Sequence, residues 1–160
     1  MSVKGVMMTS YLMDTNAFNN IRDDKDVDVT TVARQARGRV YVTHHQADEI
    51  NNTRDAARRA ILMECLQTID AETRPTETFV LGKSRLGLAK LSDGGRYNAI
   101  LAELNKLNVK SSNKADALIG ETAEAHGWVL VSDDRKFAKV MTGRGIRVIC
   151  WRQFMAELAS

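Results

Sequence analysis

Four acidic residues of this 160-residue chain stand where an apolar segment ends or where a helix is expected to begin. They are Asp14, Glu49, Asp116 and Asp134. Such positions come together at the carboxyl edge of an open α/β sheet, which is where ligands of these folds bind. Clustered carboxylates repel one another unless they are protonated or bind a cation. The pattern therefore predicts an acidic pocket for Mg²⁺ or Mn²⁺, which are hard cations that prefer oxygen ligands.

The first two acids also have simpler interpretations as structural residues. Asp14 follows the apolar residues 10–13, and an aspartate after a strand is favoured as the N-cap of a helix. Thr15 and Asn16 are more typical of caps than of ligands. Glu49 falls one turn into an expected helix, where a solvated glutamate or a charge that favours the helix dipole is common. Neither acid alone indicates a metal site.

The last two acids are open to the same two interpretations. Asp116 lies on the flank of the core-facing stripe of its helix, but it could interact with the N-terminal amides of that helix. Asp133 and Asp134 follow an apolar run, so the pair allows one cap and one ligand. All four structural interpretations would have to hold independently, and this coincidence favours a shared pocket.

The apolar pattern predicts strands that alternate with helices. Strands are expected over 10–13, 40–43, 128–131 and 147–151, and helices over 46–69, 97–107, 115–126 and 135–141, the first with a break near 51–53. Gly127 is placed as a glycine that ends a helix. Alternation of this kind implies a parallel sheet that is covered by helices on both faces.

Composition limits the class of protein. The 23 lysines and arginines exceed the 20 acids by a net charge of +3, and sequestering four acids in one pocket would leave a more basic surface, which suits a polyanionic partner. Cys65 and Cys150 are too few for a disulfide framework, and no segment resembles a membrane span or signal peptide. We expect a soluble cytoplasmic protein with one domain over 1–160 and a loop-rich connection around 70–113.

Two other kinds of chemistry have little support. His45 and Glu49 would give at most two ligands of a zinc site, and no HExxH motif includes His44 or His45. No nucleophile motif accompanies a serine or either cysteine, so covalent hydrolase chemistry is not indicated.

The four acidic segments, in this order, resemble the PIN domain, the nuclease fold of many bacterial toxins of the VapC type. The resemblance rests on Asp14 in Leu-Met-Asp-Thr-Asn, Glu49 after a strand, Asp116 in Ala-Asp-Ala-Leu-Ile, and the run from Ser132 to Phe137. It covers nearly the whole chain. It implies a three-layer α/β/α sandwich with a central, mainly parallel sheet, and a metal-dependent endoribonuclease.

The resemblance also implies roles for single residues. Asp14, Glu49, Asp116 and Asp134 would surround one or two Mg²⁺ or Mn²⁺ ions, and the family's spacing selects Asp134 over its neighbour. The side chains expected to support these ligands are Ser132, Asp133, Thr15 and Asn16. The partners implied are an RNA substrate, a cognate antitoxin in the cleft and a second copy of the chain.

Basic residues are the candidates for RNA contact, although a charged helix face is more often only solvated. They form three groups along the sequence. Beside the acidic motifs are Lys114, Arg135 and Lys136, on a predicted helix are Arg54, Arg58 and Arg59, and in the connection are Lys83, Arg85, Lys90 and Arg96. Two other functions are left open. One is a PIN-like module that binds RNA or protein without cleaving it, and the other is a receiver-like phosphoryl-transfer protein, for which the required aspartate and lysine cannot be assembled.

Overall fold

The computed structural model describes residues 8–81, 83–84 and 86–160. These residues form a five-stranded parallel sheet with the strand order β3-β2-β1-β4-β5. The strands are β1 (Tyr11–Met13), β2 (Val40–Val42), β3 (Glu72–Thr73), β4 (Val129–Val131) and β5 (Val148–Ile149). The helices are α1 (Thr15–Asp23), α2 (Val29–Ala36), α3 (His44–Asn51), α4 (Ala56–Ile69), α5 (Gly95–Leu107), α6 (Asn113–His126), α7 (Arg135–Gly143) and α8 (Trp151–Ala159).

The sheet separates two apolar clusters. Because side chains alternate along a strand, Tyr11 and Met13 face one layer while Leu12 faces the other. Residues of α1, α2, α4 and α8 fill the first cluster, and residues of α5, α6 and α7 fill the second. The three-layer α/β/α sandwich expected from the resemblance is therefore confirmed.

Several predicted elements are found with small changes in their ends. The long helix expected over 46–69 is divided, as predicted, into α3 and α4. The strand expected over 147–151 is only two residues long, because Trp151 is already the first residue of α8. Gly127 ends α6 with a φ angle of +66°, a left-handed conformation that favours glycine.

The chain between α4 and α6 has more regular structure than a loop-rich connection. It contains β3, which pairs with β2, and α5, which begins two residues before the predicted start at 97. Between these elements, Thr76 and Ala89 form an isolated bridge. Gly82 and Arg85 lie outside the described residues. No helix of the described residues has the length and apolar character needed to cross a membrane.

A close contact between α6 and α7 depends on Gly120. A β-carbon at this position would lie 2.7 Å from Sδ of Met141 and 3.2 Å from Cε2 of Phe137, both on α7. Asp116 lies one turn before this glycine, and Asp134 caps α7. Gly120 therefore leaves the room that these two side chains of α7 occupy against the helix that carries Asp116.

Replacing Gly120 by Ala tests this constraint, with Gly143→Ala as the matched control. Alanine is the better helix former at both positions, by about 1 kcal/mol. At Gly143 nothing lies within 4 Å of the added carbon, so this variant should gain stability. At Gly120 the crowding should cost about 1–3 kcal/mol, so Gly120→Ala should be the less stable variant in urea unfolding. An equal gain in both variants would contradict the proposed contact.

Candidate active site

Asp14 is the buried centre of the acidic group. It follows β1, which lies between β2 and β4, so it stands at the carboxyl edge in the middle of the sheet. Its Oδ1 accepts a hydrogen bond from the Thr15 amide at 2.8 Å. Its Oδ2 accepts from Oγ of Ser132 at 2.8 Å and from Nδ2 of Asn16 at 3.1 Å. The prediction that Thr15 and Asn16 are caps is wrong, because Asp14 is the N-cap and both residues lie within α1.

Asp134 uses its two oxygens for different purposes. Oδ1 caps α7 by accepting from the amides of Lys136 at 2.9 Å and Phe137 at 3.0 Å. Oδ2 faces Nζ of Lys110 at 3.4 Å. Ser132 ties this residue to Asp14, since its Oγ also accepts from the Asp134 amide at 3.2 Å. Asp134 is thus a helix cap and a member of the acidic group at once.

Asp133 has different partners from Asp134. Its carboxylate accepts from Nδ2 of Asn20 and, at 3.4 Å, from the amide of Trp151 at the start of α8. Its own amide donates to Oδ1 of Asn16 at 3.3 Å. Asp133 therefore joins α1 to the start of α8, and it supports the site by fixing the segment that carries Asp134.

Asp116 and Glu49 complete the group from two further helices. Asp116 lies in the first turn of α6, and among the described residues its carboxylate accepts no hydrogen bond. Its closest cation is Lys110, whose Nζ lies 4.0 Å from Oδ2. Glu49 is in α3 at the surface, and its Oε2 accepts from Oγ1 of Thr15 at 2.8 Å. The alternative interpretation, a contact of Asp116 with the amides of its own helix, thus has no hydrogen bond among the described residues to support it.

The pKa values report how poorly the negative charge is compensated. Burial raises the pKa of Asp14 to about 6. The nearby acids Glu49 and Asp134 act in the same direction, whereas the hydrogen bonds from Ser132 and Thr15 act to lower the pKa. Burial and the nearby Asp14 raise the pKa of Asp116 to about 7, although Lys110 acts against them.

Asp134 behaves in the opposite way. Partial burial acts to raise the pKa of its carboxyl group, but the Phe137 amide and Lys110 outweigh this effect and leave the pKa below its usual range. The group therefore contains one acid whose ionisation is favoured beside two whose ionisation is disfavoured relative to an ordinary carboxyl group. A cation bound among them would favour the ionised form of all three.

The donor set fits a hard divalent ion. All four predicted ligands are carboxylates, and each comes from a different helix or strand end at the same edge. Mg²⁺ and Mn²⁺ take oxygen ligands and retain several waters, so Glu49 need not bind the ion directly. The geometry already places one cation, the Lys110 ammonium, against two of the acids.

Lys110 was not predicted from the sequence as a site residue. It lies in the short linker between α5 and α6, where no periodic pattern marks it, and the predicted lysine was Lys114. Lys114 is exposed on the first turn of α6. The available signal was the position of Lys110 in a short linker just before the helix that carries Asp116.

The predicted RNA contacts fall into two groups. Arg135 and Lys136 are exposed at the start of α7, and Lys136 lines a narrow space together with Asp116 and Asp134. In the second group, several basic side chains already bind or pair with other residues of the protein. Arg58 donates to Oδ1 of Asn19. Arg59 donates to the Thr53 carbonyl, Lys90 pairs with Glu77, and Arg96 lies 3.9 Å from Glu124, while Arg54 is exposed and Arg85 lies outside the described residues.

A cavity of about 350 Å³ adjoins the acidic group at Glu49. Its lining comes from α3, the start of α6 with the linker before it, and the connection: His45, Asp48, Glu49, Asn52, Lys83, Ser111, Ser112 and Ala115. Within α3, His44, His45 and Asp48 offer ligand atoms that lie within 4.8 Å of one another. Imidazole nitrogens suit softer metals than Mg²⁺, so this trio differs chemically from the carboxylate group.

Comparison with known proteins agrees with this architecture. PAE2754 from Pyrobaculum aerophilum superimposes with a TM-score of 0.57 at 16% identity, covering 97% of this chain and 98% of its own. The DNA-bound VapBC structure from Salmonella typhimurium gives 0.58 at 18% identity, covering 90% and 99%. These identities are low, so the likeness is one of fold. No curated protein matches the chain in sequence.

The fold and the site define a three-layer α/β/α protein with an acidic centre at the carboxyl edge of its sheet. The chain belongs to the PIN domain family, whose model matches residues 11–142. The resemblance seen in the four acidic segments is thereby confirmed. PIN domains are generally nucleases, and they typically use divalent metal ions.

The raised pKa of Asp116 predicts a pH-dependent effect of Asp116→Asn on stability. The pKa moves from an ordinary 3.8 to about 7 on folding, so the folded protein binds this proton more tightly and the group's contribution to stability is lost as pH rises from about 4 to about 7. Asparagine removes that loss. In chelator, the variant should match the parent near pH 4 and exceed its free energy of unfolding by about 2–4 kcal/mol above pH 7.

Urea unfolding at three pH values between 4 and 8 measures this difference. Asp70→Asn is the control, because Asp70 is exposed in a left-handed conformation that asparagine tolerates. A gain for Asp116→Asn that is the same at every pH would contradict the expected proton linkage.

Proposed function

We propose that this PIN domain is a metal-dependent endoribonuclease that hydrolyses phosphodiester bonds of RNA. The observation that supports it is the convergence of Asp14, Asp116 and Asp134 on one buried edge, where the charge of two acids is poorly compensated. A site that served only to cap helices would not need Asp116, which accepts no hydrogen bond from the described residues.

Each residue has a role that follows from its contacts. Asp14, Asp116 and Asp134 would hold the divalent ion, with Glu49 as a further ligand, directly or through water. Ser132 fixes one oxygen of Asp14 and the amide of Asp134, so it keeps two ligands in register. Thr15 orients Glu49 toward the group. A bound ion of this kind lowers the pKa of a coordinated water and neutralises charge that develops on the phosphate.

The proposed setting is that of a toxin paired with an antitoxin. It rests on the PIN family and on the fold shared with VapBC. In this setting the protein would act on cytoplasmic RNA as one domain over 1–160, form a homodimer, and be inhibited by a cognate antitoxin that covers the cleft. The net charge of +3 suits an RNA substrate.

Asparagine substitution of the acids tests the proposed activity. Asp14→Asn and Asp116→Asn should each reduce Mn²⁺-stimulated cleavage of a fluorogenic single-stranded RNA by about 100-fold or more, because a carboxylate ligand is lost at nearly unchanged volume. Asp70→Asn should cleave at the parent rate. Circular dichroism would establish that all three variants are folded.

Two outcomes would count against a nuclease. Full activity in both Asp14→Asn and Asp116→Asn would contradict the assigned roles. A folded parent that binds RNA but neither binds Mn²⁺ nor cleaves would instead favour the alternative, a PIN-like module that binds RNA or protein without cleavage.

The basic residues can be ranked by the salt dependence of RNA binding. The measurements use an Asp116→Asn background, in which cleavage should not occur. The slope of log association constant against log salt concentration is negative, and Lys136→Ala and Arg135→Ala should each reduce its magnitude by about 0.7, the value for one phosphate contact on a single strand. Arg58→Ala should change the slope less, because its guanidinium already donates to Asn19 and lies near Asp23. A larger effect at Arg58 would move the RNA path to α4.

A further inference from the structure

Among the described ion pairs, Lys110 is the lysine whose ammonium lies between two acids of the group. Its Nζ lies 3.4 Å from Oδ2 of Asp134 and 4.0 Å from Oδ2 of Asp116. The two acids belong to different elements, since Asp134 caps α7 and Asp116 lies on α6. The lysine therefore bridges one oxygen of each of two carboxylates that would hold the divalent ion.

The backbone of the linker is held in place by a buried asparagine. Asn113 is 1% exposed, and its Nδ2 donates to Oδ1 of Asn105 at 2.8 Å and to the carbonyl of Asn108 at 2.7 Å. Its amide donates to the carbonyl of Lys110 at 3.2 Å. These bonds tie the end of α5 and the start of α6 to the linker, so the Cα of Lys110 is fixed beside the acids.

The Lys110 side chain, unlike its backbone, has room to move. It is 38% exposed, and four methylene groups separate its ammonium from the fixed Cα. It lines a narrow space together with Lys136, Asp116 and Asp134. A small rotation of the stem would carry the ammonium away from the carboxylates without moving the linker.

We propose that Lys110 is the built-in counter-ion of the acidic centre: it occupies the cation position between Asp116 and Asp134 in the metal-free protein, yields it to a divalent ion, and then pairs with a phosphate of the substrate. The first part concerns this chain's own residues and any divalent ion. The last part rests on the proposed nuclease function. The chemistry is ion exchange, so no covalent bond forms or breaks.

The first test measures Mn²⁺ affinity by titration calorimetry for Lys110→Met, Lys110→Arg and Lys106→Met. Lys106 is the matched control, because it is an exposed lysine at the end of α5 with no role in the site. Removing the competing ammonium should tighten Mn²⁺ binding about fivefold or more in Lys110→Met. Lys110→Arg, which keeps the charge, and Lys106→Met should stay within about twofold of the parent.

The sign of this change separates the proposal from a structural role. Loss of a residue that merely supports the fold would weaken Mn²⁺ binding, whereas loss of a competing cation strengthens it. Unchanged or weaker binding by a folded Lys110→Met would overturn the counter-ion role.

A second measurement is made on the parent protein and needs a variant, Lys110→Arg, only to assign the signal. In protein labelled with ¹³C at the lysine ε-carbons, the Lys110 signal is assigned by its loss in Lys110→Arg. Saturating Mg²⁺ should shift this signal, because the ammonium leaves the carboxylates, while the Lys106 signal stays in place. A Lys110 signal that does not respond to Mg²⁺ would also overturn the proposal.

The phosphate part is tested by single-turnover RNA cleavage at saturating Mn²⁺. Lys110→Met should be about tenfold or more slower than the parent even though it binds the ion more tightly, and Lys110→Arg should recover most of the rate. A parent rate in Lys110→Met would overturn the phosphate contact alone. If the parent cleaves no RNA, the proposed function fails, and the Mn²⁺ and Mg²⁺ measurements still decide the counter-ion role.

Discussion

Bringing carboxylates together at one edge of a sheet costs free energy, because each negative charge disfavours ionisation of the others and burial removes the water that would screen them. The fold meets this cost locally at two of the acids. Asp14 receives three hydrogen bonds, and Asp134 receives two from the first turn of α7 and faces Lys110. Asp116 receives none from the described residues, and burial and the nearby Asp14 raise its pKa to about 7, against about 6 for Asp14. The residual charge on this edge is what a cation would neutralise.

Helix capping and membership of the acidic group are not alternatives for these residues. A carboxylate has two oxygens, and the N-cap position uses one of them, which leaves the other to face the pocket. Asp134 divides its oxygens in this way, and Asp14 caps α1 with Oδ1 while Oδ2 meets Ser132. From the sequence alone, the two roles look like competing interpretations of each acid. Asp134 thus caps a helix with one oxygen and contributes the other to the acidic group.

The sequence was a good guide where the pattern of apolar residues carries the information. Buried runs predicted β1, β2 and β4, and these three strands alone place Asp14, Glu49 and Asp134 at one edge. The exposed strand β3 has no apolar signal, since only its backbone pairing with β2 defines it. The apolar run over 147–151 could not reveal that its last residue starts a helix. The position of Lys110 beside the acids depends on the hydrogen bonds that Asn113 makes to Asn105 and Asn108, and no local sequence pattern predicts these bonds.

The same topology that gathers the acids also balances them. In a parallel sheet each strand ends where the next helix begins, so α1, α3 and α7 start directly after β1, β2 and β4 at this edge. Their N-termini carry partial positive charge, which favours nearby carboxylates by about 0.3–1 kcal/mol for each helix. The same partial charges favour phosphate groups. An edge that combines carboxylates with helix N-termini and a movable lysine therefore suits a cation and an anion together, which is the combination that a phosphodiester and its metal ion present.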